Sequence, residues 1–151
     1  MKLSTKTRYG VRAVFDLAYH CEGGSAQVKD IAERQNISPR YLEQIFHRLK
    51  KAGIVKSERG PKGGYSLRKN PAQITIGDIY RATEGNFVLV PCKDKNKVCD
   101  KLEECVAQPI WDKISREVEA VFDSITIQKL CEIAEGLKIP REVEKRYMYF
   151  I

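Results

Sequence analysis

The segment from Ser38 to Gly53 constrains the fold of this 151-residue chain more than any other. Ser38-Pro39 is typical of a helix start, because a serine hydroxyl caps the first backbone amides and proline is preferred at the first helical position. Gly53 favours a helix end, since glycine adopts the left-handed conformation without strain. An apolar stripe at helical spacing lies between them, formed by Leu42, Ile45, Phe46 and Leu49. The sequence therefore predicts an amphipathic helix with one buried face.

The opposite side of this predicted helix is polar and positively charged. Its residues are Arg40, Gln44, His47 and Lys51, with Tyr41 and Arg48 beside them. A shorter helix at 28–35 and a tight turn at Asn36-Ile37 precede it, which is the order of a helix-turn-helix. Glutamine and arginine can bind base edges, while lysine and arginine neutralise phosphates. A solvated helix of another fold would have a similar composition, so this pattern alone does not decide.

Two short strand-like runs, at 54–59 and 65–68, follow the helix directly. They are joined by Gly60-Pro61-Lys62-Gly63-Gly64, whose glycines allow turn conformations that are closed to other residues. A hairpin in this place is the wing of a winged helix, and Arg59 at its tip could enter a narrow minor groove. The alternative is an ordinary hairpin turn. A phosphate-binding P-loop is excluded, because the sequence lacks Gly-x-x-x-x-Gly-Lys-Ser/Thr.

The second half of the chain begins with a linker at Asn70-Pro71 and contains three further predicted elements. Thr75 starts a short helix, with Asp78 as its partner in a capping box. A long helix runs from Pro109 onward, and Thr126 caps a last helix that ends near residue 135. The long helix has a heptad-like apolar seam formed by Trp111, Ile114, Val118, Val121, Phe122 and Ile125.

A small winged domain does not easily cover such a seam, so we expect the long helix to pair with a second copy of the chain. Burial in the chain's own core is the alternative. The apolar tail at 147–151 is expected to dock on another surface, for example on the partner subunit.

The net charge of +7 is unevenly distributed. Residues 1–70 carry 15 Lys/Arg and 6 Asp/Glu, whereas residues 71–151 carry 12 and 14. This asymmetry favours a polyanionic partner for the first half, although a solvated basic surface would look the same. An anionic membrane is disfavoured, because no predicted helix combines a continuous basic face with a lipid-seeking apolar one. With neither a membrane-spanning stretch nor an apolar N-terminal region, we expect a cytoplasmic protein.

The five cysteines fall into two groups. Cys21 lies at helical spacing with apolar residues of the first predicted helix, at 5–21, which Ser4 or Thr5 caps. Cys131 is placed similarly in the last helix. Both are expected to be core thiols, because free cysteine is among the most buried residue types.

Cys92, Cys99 and Cys105 instead lie in a polar loop rich in lysine, aspartate and glutamate. Such a setting points to metal ligation or redox chemistry, and nearby lysines would help to keep the thiols ionised. An iron–sulfur cluster, zinc and a redox disulfide all remain open, although the gaps do not match the two- to four-residue spacing usual for zinc. A fourth ligand is missing from the local sequence.

The chain is not expected to be an enzyme. Neither a Ser/His/Asp nor a Cys/His constellation is recognisable, and an electron carrier would need a stable, complete set of cluster ligands. A zinc-stabilised scaffold or an iron–sulfur electron-transfer protein is therefore the alternative from a different class.

Four stretches together resemble the IscR-like family of bacterial transcription regulators. They are Met1–Val11, Ser38–Gln44, Arg59–Tyr65 and the three cysteines followed by Trp111. The resemblance extends to about Ile125. The family also includes nitric-oxide-responsive (NsrR), iron-responsive (RirA) and cysteine-metabolism (CymR) regulators, of which the last type lacks the cysteines.

The resemblance implies a homodimer that binds a palindromic operator in double-stranded DNA and takes no small-molecule substrate. It implies that Cys92, Cys99 and Cys105 hold an iron–sulfur cluster, with 2Fe–2S favoured and 4Fe–4S possible. The expected function is a cluster-sensing repressor of iron–sulfur assembly genes. The alternative within the family is a regulator that responds to nitric oxide or iron. Gln108 stands where the family has a histidine ligand, so the fourth ligand could be a carboxylate, a small thiol or water.

The resemblance also implies roles in DNA binding. Tyr41 and Gln44 would read bases, Arg59 would enter the minor groove, and Glu43 would tune the choice of operator. The remaining candidates of the predicted DNA surface are Ser38, Arg40, Arg48, Lys62, Gly63 and Gly64.

The expected fold is mostly α with a small β-wing: a winged helix-turn-helix at 1–70, a linker helix and cysteine loop at 71–106, and a dimerisation helix with a tail at 107–151.

Overall fold

The computed structural model describes residues 2–93 and 99–142, which form six α-helices and one two-stranded sheet. The helices are α1 (Thr5–His20), α2 (Val28–Gln35), α3 (Pro39–Lys51), α4 (Ile76–Glu84), α5 (Gln108–Ser124) and α6 (Ile127–Gly136). The strands are β1 (Val55–Glu58) and β2 (Gly64–Leu67), and 3-10 helices lie at Pro71–Gln73, Pro91–Lys93 and Leu102–Glu104. The prediction of a mostly helical chain with a small β-hairpin is confirmed.

Four helices begin at the hydroxyl residues that the sequence predicted. The side chains of Ser4, Ser38, Thr75 and Thr126 each accept a hydrogen bond from the backbone amide three residues later. Asp78 returns the contact by accepting from the backbone amide of Thr75 at 3.0 Å, which completes the predicted capping box. These local signals fix where each helix starts.

The turns around α3 also follow from local chemistry. Asn36 ends α2 in the left-handed conformation with φ of 52°, and its backbone amide donates to the carbonyls of Ala32 and Glu33. Asparagine tolerates this conformation better than most residues, which makes the tight turn of the helix-turn-helix possible. Gly53, with φ of 75°, follows α3 in the same region, as predicted.

The wing is an antiparallel hairpin in which Val55 pairs with Leu67 and Glu58 with Gly64. A third piece of backbone joins its outer edge, because Ala26 and Tyr65 exchange two backbone hydrogen bonds of 3.0 and 2.9 Å. A two-stranded hairpin alone is only marginally stable in water, so this extra pairing adds order to the wing.

Helix α1 lies at the centre of the hydrophobic core. Val14 and Leu17 are fully buried, and they belong to a single cluster that includes residues of α2, α3, α4 and α6. Gly10 allows this packing, since a Cβ there would lie 3.0 Å from Cγ2 of Ile79 and 3.7 Å from Cγ2 of Ile45. Helices α3 and α4 therefore approach the backbone of α1 closely.

A buried ion pair joins α1 to α2. The carboxylate of Asp16 is fully buried and accepts from Arg34 at 2.6 Å and from the side-chain amide of Gln35 at 2.8 Å. Burial alone would lower the pKa of Arg34, but the hydrogen bond to Asp16 and the negative charges near it together outweigh this and raise the pKa. These hydrogen bonds cross between the two helices and fix the first helix of the helix-turn-helix on α1.

The C-terminal part of the described chain packs back onto the first half. Ile127 and Cys131 of α6 are buried in the common core, and a short bridge pairs Thr75 with Thr126. Cys131 is therefore the predicted core thiol. Cys21 is half-buried rather than buried, because it lies just beyond the end of α1, where the helix leaves the core.

Helix α5 differs from the other five α-helices in having no buried residue. Most of its seam is exposed, with exposed fractions of 39% for Trp111, 37% for Ile114 and 56% for Val121. The described residues therefore leave four of the six seam residues uncovered, whereas Val118 and Phe122 are half-buried. The predicted tail at 147–151 lies outside these residues.

The capping box of α4 gives a prediction about stability. Burial alone would raise the pKa of Asp78, but hydrogen bonds from Thr75 and the contact with Arg81 outweigh it and lower the pKa. The folded state therefore favours the carboxylate, and this stabilisation is present above the unfolded pKa of about 4 and is lost as the pH falls through the folded value. We expect Asp78→Ala to reduce the free energy of unfolding at pH 7 by about 1 kcal/mol, measured by urea denaturation.

The difference in the free energy of unfolding between Asp78→Ala and the wild type should shrink below a pH of about 4. Thr75→Ser, which retains the capping hydroxyl, serves as the control and should remain close to the wild type. A deficit of equal size at pH 3 and pH 7 would contradict this explanation.

Candidate nucleic-acid interface and cysteine loop

Helix α3 has the two faces that the sequence predicted. Leu42, Ile45, Phe46 and Leu49 are buried. The exposed candidates for DNA binding on this helix and its cap are Ser38, Arg40, Glu43, Gln44 and Arg48. The hydroxyl of Ser38 is engaged in capping, since it accepts from the backbone amide of Tyr41. The helix thus offers a continuous polar surface whose N-terminal turn is open to a duplex.

Tyr41 is placed differently from its neighbours. Its side chain is half-buried, and its hydroxyl lies 2.9 Å from Oγ1 of Thr5. Its ring packs in a T-shaped arrangement with the ring of Tyr9, and the two ring centroids are 5.8 Å apart. Tyr41 therefore packs against α1, and its predicted contact with bases would have to use the part of the ring that remains accessible.

Arg48 reaches from α3 to the end of α4, where its guanidinium donates to the carbonyl of Thr83 at 3.4 Å. An open groove runs between these helices, and its lining includes Gln44, His47 and Lys51. A polyanion seated on α3 would therefore also meet the α4 side of this groove.

The wing is held against α3 by aromatic stacking. The rings of Phe46 and Tyr65 stack with centroids 4.5 Å apart. Burial raises the pKa of Tyr65, and the nearby negative charge of Glu43 adds to this. The base of the wing and α3 thus form one packed unit.

The tip of the wing exposes Arg59 and Lys62, as predicted. The glycines of the tip have a structural role. A Cβ at Gly63 would lie 2.4 Å from the carbonyl oxygen of Glu58, and a Cβ at Gly64 would lie 2.0 Å from that of Ala26. These close backbone contacts explain both glycines, and their contact with DNA stays a prediction.

The sequence did not indicate that Ser25 and Gln27 contact the wing. The hydroxyl of Ser25 donates to the carbonyl oxygen of Lys62 at 3.1 Å. The side-chain amide of Gln27 donates to the carbonyl oxygen of Pro61 at 3.3 Å. The only available signal was a glutamine at a helix N-cap, a position that favours shorter polar residues.

The cysteine loop connects α4 to α5. Cys92 lies half-buried in the 3-10 helix at Pro91–Lys93, Cys99 is exposed, and Cys105 is half-buried. The remainder of the loop, at 94–98, lies outside the described residues. Within the described ranges 2–93 and 99–142, no three cysteine, histidine or acidic side chains come together as a metal-binding group. Three thiols suit an iron–sulfur cluster chemically, but this conformation does not assemble them.

Gln108, which stands at the position where the resemblance implies a fourth ligand, is the first residue of α5. Its side-chain amide donates to the carboxylate of Asp112, one turn later, at 3.0 Å. The amide is thus used within the helix, so the position offers no evident fourth ligand.

The start of the cysteine loop is fixed on the contact between α4 and α5. Phe87, which precedes the loop, packs with Tyr80 at 4.9 Å and with Phe122 of α5 at 5.4 Å between ring centroids. Arg81 of α4 forms ion pairs with Glu119 at 3.2 Å and Asp123 at 2.6 Å, and the hydrogen bond with Asp123 raises its pKa. The loop therefore begins beside a packed junction, whereas it ends at Gln108, 14 residues before Phe122 and about 21 Å from it along α5.

None of the helices in the described ranges has the length and apolar character that crossing a membrane requires.

This chain is similar to known proteins in both sequence and fold. Residues 3–144 match the Rrf2 family, which is described as an iron-dependent transcriptional regulator. The transcriptional regulator IscR of Cronobacter sakazakii, of the helix-turn-helix type, is 37% identical over 139 residues, which is 92% of this chain and 85% of that protein.

Two solved structures are similar at comparable identity. IscR of T. potens is 41% identical with a TM-score of 0.74, over 99% of this chain and 96% of that one. CymR, the global cysteine regulator of B. subtilis, is 40% identical with a TM-score of 0.73, over 88% and 98%.

These matches confirm the predicted winged-helix fold and the resemblance to IscR and CymR relatives. They also agree with the prediction that the chain is not an enzyme, because the matched proteins are regulators of transcription. The chain belongs to the Rrf2 family of DNA-binding transcriptional regulators.

Proposed function

We propose that this regulator is a homodimeric, iron–sulfur cluster-sensing repressor of cluster assembly genes that acts in the cytoplasm on palindromic operators. The observation that carries the proposal is the position of three cysteines, in a loop between α4 and an uncovered helix α5, within an Rrf2-family chain. The partners are a second copy of the chain and double-stranded DNA, without a membrane or a small-molecule substrate.

Base reading is assigned to the exposed face of α3, with Gln44, Glu43 and the accessible part of Tyr41 as the readers. Arg40, Arg48 and Lys62 neutralise phosphates, and Arg59 enters the minor groove. Support comes from their exposure and from the concentration of positive charge in residues 1–70. Arginine at a narrow minor groove binds through the enhanced negative potential there.

Homodimerisation is assigned to α5. This helix has 17 residues and is therefore about 25 Å long. Its exposed apolar side chains include Trp111, Ile114 and Val121, which repeat on one face, and the exposed Ile125 follows at its C-cap. An apolar strip of this kind marks an interaction site in a soluble protein, and a second α5 would be the self-complementary cover.

A charged residue in this strip should prevent dimerisation. Val121 is 56% exposed, so Val121→Glu costs little within one chain, but in the dimer it would bury two carboxylates. We expect dimerisation to weaken by roughly 100-fold or more, measured by sedimentation equilibrium.

Arg116→Gln is the matched control, because it changes the charge by the same amount on the opposite face of α5. It should remain dimeric. A Val121→Glu variant with the wild-type sedimentation profile would contradict the assignment of the dimer interface.

Cluster binding is assigned to Cys92, Cys99 and Cys105. Thiolates are the usual ligands of iron–sulfur clusters, and the relatives that carry the name IscR belong to the same family. When bound, the cluster would supply a redox-active and chemically labile group that reports on iron and sulfide supply. A fourth ligand would have to come from outside these three residues, for example from a carboxylate.

The cofactor assignment predicts that the full-length protein, purified without oxygen, contains iron and acid-labile sulfide and absorbs visible light. The triple variant Cys92→Ala, Cys99→Ala, Cys105→Ala should lose all three signals, measured by metal and sulfide analysis and by absorbance. The double variant Cys21→Ala, Cys131→Ala is the control, because it removes only the two cysteines outside the loop. This variant should retain the iron, the sulfide and the visible absorbance.

Zinc without sulfide in the wild-type protein would support the zinc-stabilised alternative. Iron retained by the triple variant would contradict the assigned ligands. Mössbauer spectroscopy of the loaded protein would separate the 2Fe–2S type from the 4Fe–4S type.

A further inference from the structure

The tip of the wing is tied to the three residues that precede α2. The central residues of its turn are Pro61 and Lys62, between Gly60 and Gly63, whose backbone hydrogen bond of 2.9 Å closes the turn. The carbonyls of Pro61 and Lys62 accept hydrogen bonds from two side chains in the segment 25–27.

The segment Ser25-Ala26-Gln27, here called the wing bracket, contacts the wing at successive residues. Ser25 donates to Lys62 at 3.1 Å, and Gln27 donates to Pro61 at 3.3 Å. Ala26 pairs with Tyr65 through two backbone hydrogen bonds. The bracket therefore holds both the outer strand of the wing and the carbonyls at its tip.

The side chain of Gln27 could form a hydrogen bond with the free end of α2 or with the wing, and in the structure it contacts the wing. It is the N-cap residue of α2, yet its side chain makes no capping hydrogen bond. Short polar residues are preferred at an N-cap because they reach the free amides of the helix. The longer glutamine reaches the wing instead, so one residue joins the first helix of the helix-turn-helix to the wing tip.

The bracket matters because the wing base and the wing tip are held by different contacts. The stack of Tyr65 on Phe46 fixes the base against α3. Arg59 and Lys62 lie beyond it, in an exposed turn. Without the bracket, the orientation of this turn would depend on a two-stranded hairpin, which is marginally ordered by itself.

We propose that Ser25 and Gln27 are positioning residues for DNA binding: they set the place of Arg59 and Lys62 relative to α3, so that wing and recognition helix bind one duplex together. This inference rests on the proposed role of the wing in DNA binding. A tip that is ordered in advance does not have to lose its conformational freedom on binding, and this raises affinity without a new contact to DNA.

The test uses the full-length protein and a duplex that the wild type selects from a randomised pool, with affinity measured by fluorescence anisotropy. Gln27→Met retains the length of the side chain but removes its donor, and Ser25→Ala removes the hydroxyl. We expect each to weaken binding about threefold to fivefold, which corresponds to the net contribution of one hydrogen bond.

Ser25→Thr retains the hydroxyl and should bind within about twofold of the wild type, since surface substitutions of this kind change free energies little. Thermal unfolding of every variant checks that the fold is unchanged. If Ser25→Thr lost as much affinity for DNA as Ser25→Ala, the proposed role of the hydroxyl would be overturned.

A double-mutant cycle separates positioning from a merely structural role. If the bracket acts through Arg59 and Lys62, Gln27→Met should have a clearly smaller effect in an Arg59→Ala background, and almost none when Lys62→Ala is added. With Gln44→Ala, on the other side of the interface, the two losses should add. An undiminished loss in the Arg59→Ala background would overturn the proposal.

The two levels of the inference fail differently. If Arg59→Ala binds as tightly as the wild type, the proposed DNA contact of the wing fails, and the bracket proposal fails with it. If Arg59→Ala weakens binding while Ser25→Ala and Gln27→Met do not, only the bracket proposal fails.

Discussion

The close approach of α3 and α4 to α1 at Gly10 is the constraint on which the rest of the structure depends. A Cβ at Gly10 would stand 3.0 Å from Ile79 of α4 and 3.7 Å from Ile45 of α3, so both helices pack directly on the α1 backbone. The buried hydroxyls of Thr7 and Thr83, 2.9 Å apart, join α1 to α4 one turn away. Because close-packed interiors transmit small displacements, these three helices form one body, and the recognition helix cannot shift without its neighbours.

This packing gives the cysteine loop a physical connection to the DNA surface. The loop starts after Phe87, which packs between α4 and α5, and Arg81 joins the same two helices by ion pairs. From the end of α4, the carbonyl of Thr83 meets Arg48 of the recognition helix. In the proposed function, a cluster held by the loop would bias how α4 and α5 meet, and the bias would reach α3 through contacts that already exist. The relation is a coupling free energy between two sites, and it requires no new contact between cluster and DNA.

Local chemistry made most of the fold predictable, whereas contacts between distant residues did not. Ser38 and Thr75 act within three residues, so the helix starts could be read from the sequence. The sequence predicts Gly64 as a turn residue near DNA, but the structure shows that glycine is also required there by Ala26, which is distant in the chain. Tyr41 was similarly assigned from its position in the motif, without its contact to Thr5. Their polar neighbours set Cys92, Cys99 and Cys105 apart from the core, but whether the loop brings them together depends on its backbone conformation, which local composition does not determine.

The central claim is that the state of the cysteine loop changes the affinity for DNA. The most direct measurement compares the apo protein, the protein loaded with iron and sulfide, and the triple cysteine variant on one set of duplexes under anaerobic conditions. The account predicts that loading changes the affinity for at least one operator by about tenfold or more, a typical size for allosteric coupling. It also predicts that the triple variant stays at the apo value under both conditions. Identical affinities of the apo and loaded proteins for every duplex would contradict the account.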